Sequence, residues 1–285
     1  MKSPPFDYIQ AEGLEHALEL LHQHGDDARV LAGGQSLLPT LALRLSAPTW
    51  LIDLQAVARL APAPRVEQGR VILHALMRHV EIERSPLVAQ HLPLLSAAAP
   101  WIAHPAIRNR GTLGGSLAVA DPASEWPACA LACGARLHLQ SKAGGRRVVA
   151  ADDFFTGVYQ TALTQGEMIV EVDFPDLQNA RVAFKEVARR QGDFATVGLA
   201  AVQRGVIPAQ REVRWVYFGV ADRPLRMTSL EQALAASTSA AQALETAREV
   251  HAQHFHAEPD LWCSSEAKKL IAASLMEEVI HDWFA

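Results

Sequence analysis

Hydrophobic residues first recur with helical spacing over LEHALELLHQH at 14–24, where Leu14, Ala17, Leu18 and Leu21 share one face and Gly25 supplies the stop. The next segment, ARVLAGGQSLL, predicts a short apolar strand running into paired glycines, and the apolar stretch LLPTLALRL beyond them predicts a helix. WLIDL at 50–54 predicts the next strand, so residues 1–55 form a βαβ unit. After a loop at Pro62 and Pro64, RVILHAL at 70–76 predicts a strand, and LVAQHLPLLSAAAPWIA predicts helix broken by its prolines. HPAIRNRGTLGGSLAVADPASEWPACALACGARLHLQ then gives loop, Gly-rich turn, helix and strand in order. From about residue 178 the pattern changes to short strands, RVAFKEVA, TVGLAAVQR and REVRWVYFGVA. Ala-rich helices follow from Ser229 to Val250 and from Ser264 to Phe284. The expected fold is α+β in three parts: 1–55, 56–177 and 178–285, the last an antiparallel sheet backed by helices.

Composition narrows the function. Hydrophobic residues make up 49% and charged residues 20%, as in ordinary globular proteins. A net charge of -5 argues against nucleic acid or an anionic membrane as partner, leaving small molecules and proteins. The opening MKSPPFDYIQAEG has no signal-like apolar run, and no stretch of about 18 uncharged apolar residues follows, so neither export nor a membrane span is expected and a cytoplasmic protein is. The 3 cysteines are too few for an iron–sulfur cluster, which takes four thiolates. Cys129 and Cys133, in the apolar run PACALACGA, read as core.

Two Gly-rich turns are the leading candidates for chemistry. The first comprises Leu31, Ala32, Gly33, Gly34, Gln35, Ser36, Leu37 and Leu38, between strand and helix. Paired glycines there let the backbone approach a ligand and aim successive N–H groups at an anion. The second, Gly111-Thr112-Leu113-Gly114-Gly115-Ser116, repeats the design, with the Thr112 and Ser116 hydroxyls as further donors. Two such loops suit a pyrophosphate. Neither is a GxGxxG fingerprint or a Walker loop. Taken singly, each glycine pair is equally a tight structural turn. Shortly after the second turn, Asp121 and Glu125 can accept hydrogen bonds from sugar hydroxyls; alternatively Asp121 caps a helix with Pro122 at its first position and Glu125 in its first turn.

AGGQSLLP at 32–39, RNRGTLGGSLAVADPASEWP at 108–127 and FKEVARRQGDFATVGLAA at 184–201 occur in the order of a known family. On these motifs the chain resembles the FAD-binding medium subunits of the molybdenum hydroxylases, such as the flavoproteins of carbon monoxide dehydrogenase and bacterial xanthine dehydrogenases. The resemblance implies two α/β subdomains of the p-cresol methylhydroxylase type with FAD between them, then a domain of three antiparallel strands with helices. It implies pyrophosphate contacts from Ala32 to Ser36 and FAD contacts from Thr112, Gly114, Gly115 and Ser116. Glu125 takes the family's acidic position, usually Asp, against the cofactor hydroxyls. Ile102 and Ile169 match residues that pack on the cofactor, and Lys185 matches a basic residue near the flavin.

The resemblance also places Ala188–Ala195 near the isoalloxazine ring, where Arg189 or Arg190 would favour the reduced anionic flavin. Phe194 either covers the flavin or fills a core gap. His104 either reaches the cofactor or packs the turn, and His251, His254 and His256 read as a surface helix end. The family implies a molybdenum cofactor on a large partner chain and [2Fe-2S] clusters on a small one, in an (αβγ)2 assembly. Electrons then pass through FAD to NAD, oxygen, a quinone or a carrier protein. The reducing substrate, whether carbon monoxide, a purine, an N-heteroaromatic or an aldehyde, would bind the large chain. A free-standing flavin oxidoreductase and a non-catalytic nucleotide-binding module are the competing readings.

Overall fold

The computed structural model of the chain describes residues 2–205, 207 and 210–284. Its first unit is a parallel sheet of β1 (Asp7–Gln10), β2 (Ala28–Leu31) and β3 (Trp50–Asp53) in the order β1-β3-β2. Helix α1 (Leu14–His24) occupies the predicted span, buries Ala17, Leu18, Leu20 and Leu21, and ends at Gly25 with φ 54. Glycine adopts that conformation at no steric cost. Helix α2 (Leu37–Ala42) precedes β3, and α3 (Gln55–Leu60) follows it. β1 escapes a reading by pattern because DYIQ has no buried residue to set a period.

In the second unit, β4 (Arg65–Glu67) and β5 (Arg70–His74) lead into six short helices: α4 (His79–Arg84), α5 (Pro86–His91), α6 (Pro93–Ala98), α7 (Pro105–Arg108), α8 (Leu113–Val119) and α9 (Glu125–Cys133). Pro86 and Pro93 each sit in the first turn of a helix, which is how the prolines divide the apolar stretch. The strands β6 (Arg136–Ser141) and β7 (Gly145–Ala150), helix α10 (Ala151–Phe154), the hairpin β8 (Phe155–Gly157) and β9 (Gln160–Thr161), and β10 (Met168–Pro175) complete it. An antiparallel sheet results, in the order β4-β5-β10-β6-β7.

The C-terminal strands β11 (Arg181–Val187), β12 (Val197–Arg204) and β13 (Glu212–Phe218) pair antiparallel as expected. A two-residue strand β14 (Leu225–Arg226) extends them to four. Helices α11 (Thr228–Ala236), α12 (Ala240–His254) and α13 (Ser265–Phe284) cover one face. The helical stretch over 229–250 is split at Ser237–Ser239, where the Ser239 hydroxyl caps α12 by accepting from Gln242 N at 3.3 Å.

Every residue of α9 is buried, because it packs against β10 on one side and β12 and β13 on the other. A helix enclosed all round needs no polar face. Cys129 and Cys133 lie in this core, and burial pushes both thiols up, Cys133 to about 12. The histidine expectation needs correction at His251, which is buried, stacks on Phe255 at 4.4 Å and meets Tyr217 edge-on. Burial holds it down at about 4, so it is a neutral core residue, while His254 and His256 are exposed. No helix among the described residues is long and apolar enough to cross a membrane.

Candidate functional site

The first Gly-rich loop begins where β2 leaves the sheet. Leu31 O accepts from Leu54 N at 3.0 Å, and Gly34 N–Cα turns to φ +74, which bends the chain toward α2. Gln35 Nε2 donates to Gly33 O at 3.0 Å and Leu38 N to Gly34 O at 3.1 Å, so the turn is braced by its own side chain and by the helix start. Among the described residues, no protein acceptor takes the backbone N–H groups of Ala32, Gly33, Gly34, Gln35 or Ser36. A run of unmatched donors on a turn before a helix is an anion-binding concavity. Leu37 is half-buried, and Leu38 is exposed at the start of α2.

The second loop is built differently, which corrects the expectation that it repeats the first. Gly111 N donates to Ile107 O, Leu113 N to Met77 O, Gly114 N to Ala75 O at 2.7 Å, Gly115 N to Thr112 Oγ1 and Ser116 N to Thr112 O. Its donors are spent on the end of β5 and on capping α8. Its glycines serve contact instead. A Cβ on Gly114 would lie 2.6 Å from Ala75 Cβ, and one on Gly111 2.5 Å from His79 Nε2. What remains for a ligand is the Thr112 N–H and the hydroxyls.

The two loops touch. A Cβ on Gly33 would lie 2.3 Å from Arg110 O and 2.8 Å from Gly111 Cα, and one on Gly115 would face Ala32 Cβ at 3.9 Å. At Gly33 no side chain fits between the loops, and their backbones lie directly against each other there.

Several groups hold this arrangement. Trp126 Nε1 donates to His79 Nδ1 at 2.9 Å, and burial, with the Arg108 charge second, holds His79 down at about 4; the imidazole under Gly111 is therefore neutral. Arg108 binds Glu83 through Nε at 2.9 Å and donates from Nη1 to the carbonyls of Ile102 and Ala103 at 3.0 Å each, pinning the segment before the loop. Ser116 Oγ meets Ser124 Oγ at 3.1 Å, joining α8 to the start of α9.

Asp121 does not cap α9, whose N-cap is Ser124. Its Oδ1 instead accepts from Ala123 N at 2.9 Å in a local turn, and its Oδ2 accepts from the Tyr159 hydroxyl at 3.0 Å. Tyr159, on the β8–β9 hairpin, has φ 53. Glu125 is the first residue of α9 and is 5% exposed; burial raises its carboxyl to about 7, against its own backbone N–H and with a smaller push from Asp121.

A cavity of about 540 Å³ opens nearby, lined by Pro100, Trp101, Glu186, Val187, Ala188, Arg190, Gln191 and Gly192. Gly192 sits on His104, whose ring atoms a Cβ there would meet at 2.7 Å, so His104 packs the turn. Arg190 faces this cavity, whereas Arg189 stacks on Trp262 at 4.4 Å and pairs with Asp193 at 3.9 Å. Phe194 is exposed rather than filling the core. Ile102 and Ile169 are buried; Val170 O, next to Ile169, accepts from Ala75 N behind the second loop. Lys185 stands apart, its Nζ 3.4 Å from Glu278 and 3.6 Å from Asp282 on α13. Trp101, Arg108, Tyr159 and Glu186 were not singled out in the sequence. Only Glu186 left a signal: period two along β11 puts it on the face of Phe184, away from Lys185.

Two known families match the chain in succession. Residues 4–177 match the family described as the FAD binding domain in molybdopterin dehydrogenase, and 182–283 match the CO dehydrogenase flavoprotein C-terminal domain. The 6-hydroxypseudooxynicotine dehydrogenase complex subunit alpha of Paenarthrobacter nicotinovorans is 37% identical over 98% of this chain and 95% of its own. A chain of the carbon monoxide dehydrogenase from Hydrogenophaga pseudoflava superposes with a TM-score of 0.93 at 34% identity, covering 100% of both chains. Quinoline 2-oxidoreductase from Pseudomonas putida 86 gives a TM-score of 0.90 at 34% identity over 99% of this chain and 98% of that one.

Proposed function

Because the chain belongs to the FAD-binding subunit family of the molybdenum hydroxylases, we propose that it lays FAD across its two Gly-rich loops and relays electrons within a larger oxidoreductase. The observation that carries this reading is the run of unmatched N–H groups from Ala32 to Ser36, in contact with a loop that leaves no side chain in the way. Such a cradle fits a pyrophosphate, which spreads two negative charges over acceptors only. When bound, FAD supplies the redox chemistry that no side chain here offers.

The chain's own groups divide the remaining work. Ala32, Gly33, Gly34, Gln35 and Ser36 bind the pyrophosphate, with Leu31, Leu37 and Leu38 fixing the ends of that turn. Thr112 and Ser116 donate from the second loop, where Gly114 and Gly115 keep the approach open. Asp121 and Glu125 accept from the cofactor hydroxyls, and Ile102 and Ile169 form apolar walls. Arg190 is the cation of the ring cavity and Phe194 its exposed cover. Arg189 and Lys185 are left out, being held by Trp262 and by the acidic residues of α13. On this reading 1–55 and 56–177 grip FAD and 178–285 closes the ring end.

Electrons would arrive from [2Fe-2S] clusters on a small partner chain, themselves reduced at a molybdenum cofactor on a large one, in a cytoplasmic (αβγ)2 assembly. They would leave to NAD, oxygen, a quinone or a carrier protein. Relatives named as a complex subunit and as a medium chain support such partners. Isolation at native stoichiometry, with a visible spectrum and molybdenum and iron analysis, tests this. A colourless chain that co-purifies with neither metal would end the reading, and turnover of an organic substrate by the chain alone would replace it with a free-standing oxidoreductase.

A further inference from the structure

Two buried carboxyls lie close enough that the charge of one acts on the other. Glu125 opens α9 beside the Ser116–Ser124 contact and is 5% exposed; Glu186 lies on β11 in the cavity wall and is 9% exposed. Glu186 Oε2 has no hydrogen-bond partner among the described residues. From α9 come Glu125, whose charge acts on it, and the Cys129 thiol, which feels both carboxyls. The loop after β11 brings Arg190 into the same cavity wall. Helix α6, PLLSAA, brings no titratable group, and the residue paired with Glu186 across the sheet is Gly198.

Burial disfavours the ionised form of each carboxyl, and at Glu186 the Glu125 charge disfavours it further. Burial and the Glu125 charge push Glu186 up to about 8, and burial pushes Glu125 to about 7. For a strand residue in a packed core this costs stability, and among the described residues no hydrogen bond to Oε2 offsets it. Its place in the cavity wall gives it a route to solvent.

We propose that Glu186 is the proton-holding residue of the flavin cavity, supplying the proton that FAD takes up on reduction and refilling from solvent through the cavity mouth. The proposal rests on the FAD reading above. Two electrons from reduced iron–sulfur clusters on a partner chain and one proton from the Glu186 carboxyl would together reduce bound FAD. The products are the singly protonated reduced flavin and the Glu186 carboxylate, and a solvent proton then restores the acid.

The test uses the full chain loaded with FAD and its Glu186→Gln variant, which keeps the shape and neutrality of the protonated acid. The infrared spectrum of the wild-type chain at pH 7 should contain a buried carboxylic-acid C=O band that titrates away as the pH rises through 8 and is missing from the variant. That measurement needs no cofactor, so it decides even for a variant that holds FAD poorly. In stopped-flow reduction by dithionite, the wild-type flavin should reduce ~10²-fold faster than the variant's, the usual contribution of a positioned acid. It should slow above pH 8, with a solvent isotope effect that the variant lacks. A missing band, or a variant with the wild-type rate and pH profile, overturns the proposal while leaving FAD binding intact. A wild-type chain that binds no FAD overturns both, and the visible spectrum tells these outcomes apart.

Discussion

Replacing Gly33 with alanine tests whether the two loops act as one ligand surface. The added methyl would lie 2.3 Å from Arg110 O and 2.8 Å from Gly111 Cα, both backbone atoms that cannot swing aside. An ordinary carbon–oxygen contact is about 3.3 Å or more. The loops must therefore part by ~1 Å, and overpacking on this scale costs about 1–3 kcal/mol. A ligand that spans both loops feels the same displacement, and at 1.4 kcal/mol per tenfold its dissociation constant should rise roughly 10–100-fold. Fluorescence titration of the apo chain with FAD, alongside a thermal melt, measures both effects. Gly13→Ser is the control: a Cβ there meets nothing within 4 Å, the residue is the N-cap of α1, and serine is favoured at that position. The control should bind FAD as wild type does and melt no lower. A Gly33→Ala chain with unchanged FAD affinity would refute the shared cradle.

Gly34→Val should lose FAD while still folding, because a β-branched residue strains at φ +74 within the donor run; a visible spectrum with full flavin occupancy would refute the loop's role. The folded state keeps protons on Glu125 and Glu186 that the unfolded chain releases above the ordinary 4.5, so stability should fall as pH rises from about 5 to 8. Glu125→Gln should remove up to ~3 kcal/mol of that fall in urea melts compared at the two ends of this range. Arg108→Ala removes the Glu83 ion pair and the donors to the Ile102 and Ala103 carbonyls, and should lower stability by about 2 kcal/mol and weaken FAD retention together. A thiol reagent should modify Cys263 in the folded chain and reach Cys129 and Cys133 only on unfolding, as counted by mass spectrometry.

How much of this was legible depends on how local each cause is. Helix α1 was readable because its apolar period and its stop, Gly25, lie within the segment itself. The prolines that divide α5 from α6 are equally local. The first loop was readable for the same reason: strand, glycine pair and helix follow one another, and among the described residues no distant acceptor takes its N–H groups. β1 was not, since its pairing with β3 rests on backbone bonds that DYIQ does not advertise. Asp121 misled because ADPASE has the composition of a helix start, yet the helix begins three residues later under Ser124 and the carboxylate serves Tyr159.

The second loop shows what such reading cannot reach. GTLGGS and AGGQS look alike, but whether a glycine's N–H points at a ligand or at protein is decided by what lies opposite. Here it is Ala75 and Met77, at the end of a strand distant in sequence. The resemblance to the family names both loops without distinguishing them, whereas the hydrogen bonds do: the first leaves its backbone donors without protein acceptors among the described residues, and the second spends most of its own on protein. Glu125 and Glu186 follow the same logic. Each alone is an ordinary acidic residue, one at a helix start and one in a strand. Their meaning comes from α9 packing against β10 on one side and β12 and β13 on the other, which brings the Glu125 charge to bear on Glu186. A site assembled from segments this far apart is set by topology, and the residues that topology brings together are where function beyond the family's motifs should be sought.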